Sequence, residues 1–111
     1  MITLHISAKN FDLTPAIKSL IEDKIGNLDK FYSRIIDGRV EVEKTTHHHK
    51  GDVFRAIVNL NAGDLIRAES VAKNLDEAVV EVKKILEMEL KKAKEKLHAK
   101  DQKEGVRAKN N

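Results

Sequence analysis

From Leu75 to Leu97 apolar residues recur at intervals of 4, 3, 4, 4, 3 and 4: Leu75, Val79, Val82, Leu86, Leu90, Ala93 and Leu97. Such spacing draws a single stripe down one face of a long helix. A one-striped helix is not stable alone in water and needs an apolar surface to cover the stripe. That surface has to come from the rest of the same chain. At 111 residues the chain has room for one core, since single domains run to roughly 100–150 residues. Asn74, just before the stripe, is a residue type that caps a helix start.

The preceding residues supply the surface. Ile2, Leu4 and Ile6 alternate with Thr3, His5 and Ser7, a strand pattern. Lys9–Leu13 is polar and turn-like. Thr14-Pro15 then offers a cap and a proline at the first helical position, where its missing N–H costs nothing. Ile17, Leu20, Ile21, Ile25 and Leu28 follow on one helical face. Gly26 within it costs about 1 kcal/mol relative to alanine, so this helix relies on tertiary packing. The pattern predicts its end near Lys30, with Phe31 and Tyr32 closing the core.

Asp37-Gly38 reads as a turn, and Val40 and Val42 as the inward positions of a second strand. Thr46–Asp52 reads as a polar hairpin loop. Phe54, Ala56, Val58 and Leu60 mark the inward face of a third strand, and Ile66 and Ala68 that of a fourth, joined through Asn61-Ala62-Gly63-Asp64. The outward residues alternate basic and acidic, as on a solvated sheet face. The final helix is predicted to fade between Leu97 and Lys100. This gives a domain over 1–100 and a flexible basic tail over 101–111.

The order is β-α-β-β-β-α. It predicts an α+β two-layer sandwich, a four-stranded sheet with two helices on one face and the first two strands parallel. The topology resembles the double-stranded-RNA-binding domain with one extra strand.

Charge is unevenly placed. Met1–Lys73 carries eleven basic and ten acidic residues, Asn74–Leu90 two against five, and Lys91–Asn111 eight against three. Cationic charge gathered at one end suits a polyanionic partner, and also a solvated helix end. There is no cysteine, hence no disulfide and no thiolate chemistry. The start of the chain lacks a basic region followed by an apolar run, and no stretch approaches the ~18 apolar residues of a membrane span. The expectation is a soluble cytoplasmic domain with no membrane partner.

Catalysis finds little support. Ser7, Ser19, Ser33 and Ser70 lie in no nucleophile-elbow pattern, and the five glycines are too scattered for a phosphate loop. His47-His48-His49 invites a metal reading. Three adjacent residues cannot all point one way in a strand, and no further cysteine or histidine pair completes a tetrahedral set. No enzyme activity, metal, cofactor or small-molecule substrate is expected.

The run Ile2-Thr3-Leu4-His5-Ile6, Thr14-Pro15-Ala16-Ile17-Lys18, Leu28-Asp29-Lys30-Phe31, the strand Phe54–Val58, Ala68-Glu69 and the late helix closing on Lys94-Glu95-Lys96-Leu97 together resemble the ribosome hibernation factors. This is the family of hibernation-promoting factor and protein Y, also called sigma-54 modulation protein. The resemblance implies a non-enzymatic protein that binds the small ribosomal subunit in the decoding channel through rRNA phosphates and silences translation under stress or in stationary phase. It implies a short form, monomeric off the ribosome.

Carried onto this chain, the rRNA-facing cations would be Lys18, Lys24, Lys30, Lys84, Lys91, Lys92 and Lys96. Ile85 and Met88 stand where relatives are often basic, and Asp76 where a tyrosine is usual. Two other readings remain open, a general double-stranded-RNA binder and a protein–protein adaptor using Ile85 and Met88.

Overall fold

A computed structural model describes the backbone of residues 2–47 and 51–110 and the side chains of residues 2–45 and 53–96. The elements are β1 (Thr3–Lys9), α1 (Pro15–Ile25), a 3-10 turn (Leu28–Lys30), β2 (Asp37–His47), β3 (Gly51–Ala62), β4 (Asp64–Ala72) and α2 (Leu75–Asn110). The sheet order is β1-β2-β3-β4, with β1 parallel to β2 and the other pairs antiparallel. This is the expected α+β sandwich. Ile21 and Ile25 of α1, the α2 stripe and the inward strand residues Val40, Val42, Ala56, Val58, Leu60 and Ala68 form one core.

Local chemistry sets the element starts. The Thr14 hydroxyl accepts a hydrogen bond from the Ile17 N–H at 3.2 Å, and the Asn74 side-chain oxygen one from the Glu77 N–H at 2.8 Å. Each satisfies a donor that the first helical turn leaves without a partner. The β3–β4 turn closes on Gly63 at φ +88°, a left-handed conformation that glycine adopts without strain.

Four boundaries differ from the sequence pattern. α1 stops at Ile25 rather than near Lys30. Gly26 and Asn27 are weak helix formers, and the Gly26 carbonyl accepts from the Ile2 N–H at 2.9 Å, tying α1 to the start of the sheet. The chain then tightens into the 3-10 turn, which sends Tyr32 into the core while Phe31 stays 39% exposed. Asp37 and Gly38 do not turn; they begin β2, paired to Asn61 and Leu60. A Cβ at 38 would meet the Leu60 side chain at 2.6 Å and the Leu4 side chain at 3.0 Å, so both leucines pack into the space that glycine leaves.

The hairpin is shorter than the polar run suggests. β2 and β3 pair out to His47 and Gly51, so His47 belongs to a strand, while His48, His49 and Lys50 lie outside the described residues. Finally, α2 does not fade near Lys100 but continues to Asn110. At 1.5 Å per residue its 36 residues span about 54 Å. The long dimension of the molecule, 62 Å, reflects this.

Candidate nucleic-acid interface

α2 lies on β4 and β3 and touches α1. Its buried positions, Leu75, Ala78, Val79, Val82, Leu86 and Leu90, fix its rotation. The remaining positions then divide into a flank toward α1, a flank toward β4 and an outer face. The lysines carried over from sequence distribute over all three.

On the α1 flank a cleft of about 330 Å³ is lined by Lys24, Asn27, Lys30, Phe31, Lys83 and Glu87. Lys24 comes from the last turn of α1 and Lys30 from the 3-10 turn, so the break in α1 is what brings them to one wall. Lys83 faces them from α2 and pairs with Glu87 at 3.8 Å. On the β4 flank a larger cleft of about 500 Å³ collects Arg34, Lys92 and Lys96 against Asp64 and Glu89. Its floor includes Tyr32, Ile66 and Ala93. Lys92 pairs with Glu89 at 3.4 Å while remaining 67% exposed, which leaves its ammonium open to a further anion.

The other cations are elsewhere. Lys84 and Lys91, seven residues apart, are exposed and line neither cleft. Met88 between them is 60% exposed. Lys18 is exposed on α1, apart from both clefts. The structure therefore joins Lys24 to Lys30 and Lys92 to Lys96, and does not unite all seven.

Three α2 residues that weaken its basic character have separate roles. Glu81 accepts a hydrogen bond from the Ser70 hydroxyl and ties α2 to β4. Ile85 packs against the core, and Met88 does not.

The open face of the sheet is organised in rows. His5, Arg39, Asn59 and Arg67 share one, and Ser7, Glu41, Ile57 and Glu69 the next. Like charges share these two rows, while the next row, Lys9, Glu43 and Arg55, alternates from strand to strand as the sequence predicts. Opposite charges meet between rows. The Arg55 guanidinium donates to Glu69, and Arg67 lies 3.9 Å from the same carboxylate. The hydrogen bond from Arg55 holds the Glu69 carboxyl below its ordinary range. Arg55 is thus committed to a neighbour on the sheet, whereas Arg67, 59% exposed and 3.9 Å from Glu69, stays as open to a further anion as Lys92.

Sequence reasoning missed Phe31, Lys83 and Arg34. Phe31 was assigned to the core, yet an exposed aromatic beside Lys24, Lys30 and Lys83 is the combination that nucleic-acid surfaces use, cations for phosphates and a ring for a base. Nothing in the local pattern separates Phe31 from Tyr32; the exposure of Phe31 follows from the 3-10 turn after the break in α1. Lys83 sits three before Leu86 and four after Val79, on the shoulder of the apolar stripe where a lysine can reach a neighbouring helix.

Comparison with known proteins brings these features together. A family model described as "Sigma 54 modulation protein / S30EA ribosomal protein" matches residues 4–98. The chain is 29% identical over 94 residues to "Ribosome-associated factor Y" of Haemophilus influenzae, covering 85% of this chain and 84% of that protein. It is also 29% identical to "Ribosome hibernation promotion factor" of Deinococcus radiodurans over 81% of this chain, and to the protein of the same name from Lactococcus lactis over 90%. It spans about half the length of those two, 48% and 54%. Among solved structures, a ribosomal subunit interface protein from Coxiella burnetii superposes with a TM-score of 0.73 at 18% identity, covering 84% of this chain and 98% of that one. The N-terminal domain of Thermus thermophilus Protein Y gives 0.65 at 22%, covering 82% and 98%. These two likenesses establish the fold.

Proposed function

The chain belongs to the sigma 54 modulation protein / S30EA ribosomal protein family, and from that premise we propose that it binds the small ribosomal subunit in the decoding channel and silences translation under stress or in stationary phase. The family is one of ribosome-associated hibernation factors, binding proteins rather than enzymes. The observation that carries the proposal is the family match over nearly the whole packed domain. The two basic clefts flanking α2 support it. Phosphate binding needs several cations acting together and little sequence readout, because each contact releases counterions and contributes a modest share. Lys24, Lys30, Lys92 and Lys96 lie in the clefts, with Lys18, Lys84 and Lys91 as outlying contacts. Inhibition on this reading is occupancy. A protein seated among the phosphates of the channel excludes messenger and transfer RNA, one protein per cytoplasmic ribosome, acting as a monomer.

Sedimentation of purified protein with small subunits across a salt series tests it. The parent is expected to ride with the subunit at low salt and to leave it with a log–log slope of several units. The variant K24Q/K30Q/K92Q/K96Q should lose the subunit with its unfolding midpoint unchanged, since no one of the four is buried. Equal spread of the parent over unrelated RNAs would replace this reading by a general double-stranded-RNA binder, and a flat salt response would overturn phosphate binding in either form.

A further inference from the structure

The sheet has two edges, and they are guarded differently. β1 is seven residues long and ends on Lys9. β4 is longer, nine residues or about 30 Å, and pairs with β3 without a bulge. It holds neither proline nor lysine. Such devices usually blunt an edge, because a free row of backbone N–H and C=O groups accepts another strand. Among the described residues no strand pairs with the outer side of β4. On the open face of the sheet this strand presents Leu65, Arg67, Glu69 and Val71 in that order. Leu65 is 71% exposed and Val71 50%, so a charged pair is flanked by an uncovered apolar residue at each end. The order apolar, basic, acidic, apolar is its own complement when the strand is reversed.

We propose that β4 is a self-pairing edge: in the free protein a second copy of the chain joins β4 to β4, antiparallel, about a two-fold axis through Ala68, and the two four-stranded sheets become one of eight. In this register Arg67 lies opposite the partner's Glu69 and Leu65 opposite the partner's Val71. Each contact occurs twice, as two-fold symmetry requires. The open face thereby gains two opposite-charge pairs and two apolar pairs, the cross-strand contacts that stabilise sheets. On the helix side Ala68 meets its own copy, and Ile66 meets the partner's Ser70. Neighbouring registers differ by two residues and put Arg67 against Arg67 or Glu69 against Glu69 on the axis, so charge selects one register. The proposal is independent of the ribosomal reading. It replaces the monomer that the resemblance implies off the ribosome and leaves the ribosome-bound form at one protein per ribosome.

A single strand pair is small beside the ~1,600 Å² of a standard interface, so a dissociation constant of about 10–500 µM is expected. Sedimentation velocity of the full chain up to about 1 mM reads it. R67E and E69R each set like charges opposite at both positions and should weaken the dimer about tenfold or more. An equimolar mixture of the two restores opposite charges at both positions and should dimerise again. Unfolding midpoints check that each variant folds, since Glu69 also accepts from Arg55. L65C/V71C reads the register without a change of charge. The chain has no cysteine, and in the proposed pair positions 65 and 71 of the two copies are neighbours. Mild oxidation should therefore link two copies of L65C/V71C and spare L65C alone, whose two copies of position 65 lie about 20 Å apart. A parent that stays monomeric at about 1 mM would overturn the proposal and leave the edge to a strand of another protein. So would R67E dimerising like the parent, a mixture no more associated than its components, or L65C linking as readily as the double variant.

Discussion

The two halves of α2 form one continuous helix for different reasons. From Leu75 to Ala93 the helix is held by burial: Leu75, Ala78, Val79, Val82, Leu86 and Leu90 are in the core, Asn74 caps the start and Ser70 fastens Glu81. Its local charge is acidic, two basic residues against five acids over Asn74–Leu90. From Lys94 to Asn110 no comparable stripe exists, and eleven of the seventeen residues are lysine, glutamate, alanine, glutamine or arginine, which have high intrinsic helix propensity. An isolated segment of that length would be marginal, because nucleating the first turn is unfavourable. Here the packed half supplies the nucleus and the extension only propagates it. Burial and cationic charge thereby fall at different ends of the same element. The first half fixes the second in direction, and the second carries cations that a core-facing helix cannot spare.

The largest effect that tests this division is a cavity. Leu86 is fully buried in the packed half, and Leu86→Ala should lower the unfolding free energy by about 2–5 kcal/mol, read from the denaturant midpoint at unchanged slope. Val106→Ala in the extension should stay within about 0.5 kcal/mol, as for ordinary surface changes. A loss above ~1 kcal/mol at Val106 would mean that the second half packs on something, and the contrast between the halves would fail.

The same contrast explains what the sequence disclosed. The α2 stripe, the alternating strands and both caps were legible because burial leaves a periodic imprint on residue type. The continuation past Lys100 was not, because amphipathicity reports a packed face and not helicity itself; a helix with nothing to bury has no stripe to read. The end of α1 was misplaced for a related reason. Leu28 keeps the apolar spacing, but the helix has already broken at Gly26, where β1 takes the carbonyl. That break is a tertiary event. It also moved Phe31 outward and set Lys24 beside Lys30, so the cleft followed from a contact that local pattern does not encode. Asp37-Gly38 has the composition of a turn, and only the Leu60 and Leu4 side chains packed over Gly38 show what a glycine does in a strand there.

A smaller effect sharpens the role of the helix start. Asn74 accepts from the Glu77 N–H in the packed half, and Asn74→Ala should cost about 1 kcal/mol of global stability. Because the start of α2 unfolds with the core, the loss should appear in the midpoint of whole-domain unfolding. A loss of helical signal without a shift of that midpoint would show that α2 frays from its start independently of the sheet.

The smallest expected change in global stability lies at Gly105, inside the extension. Glycine in a helix interior is about 1 kcal/mol less favourable than alanine, so Gly105→Ala should lengthen the lifetime of the last turns. That gain is local. The extension carries no apolar stripe to pass it on to the core, and local opening is expected to run at a free energy below that of the whole domain. Circular dichroism should show more helix, and amide exchange should slow for residues near 105. The midpoint of global unfolding should not move. If it rises by the full ~1 kcal/mol, the extension unfolds as one unit with the core. Its helicity would then come from packing, and propensity with nucleation from the first half would no longer explain the second.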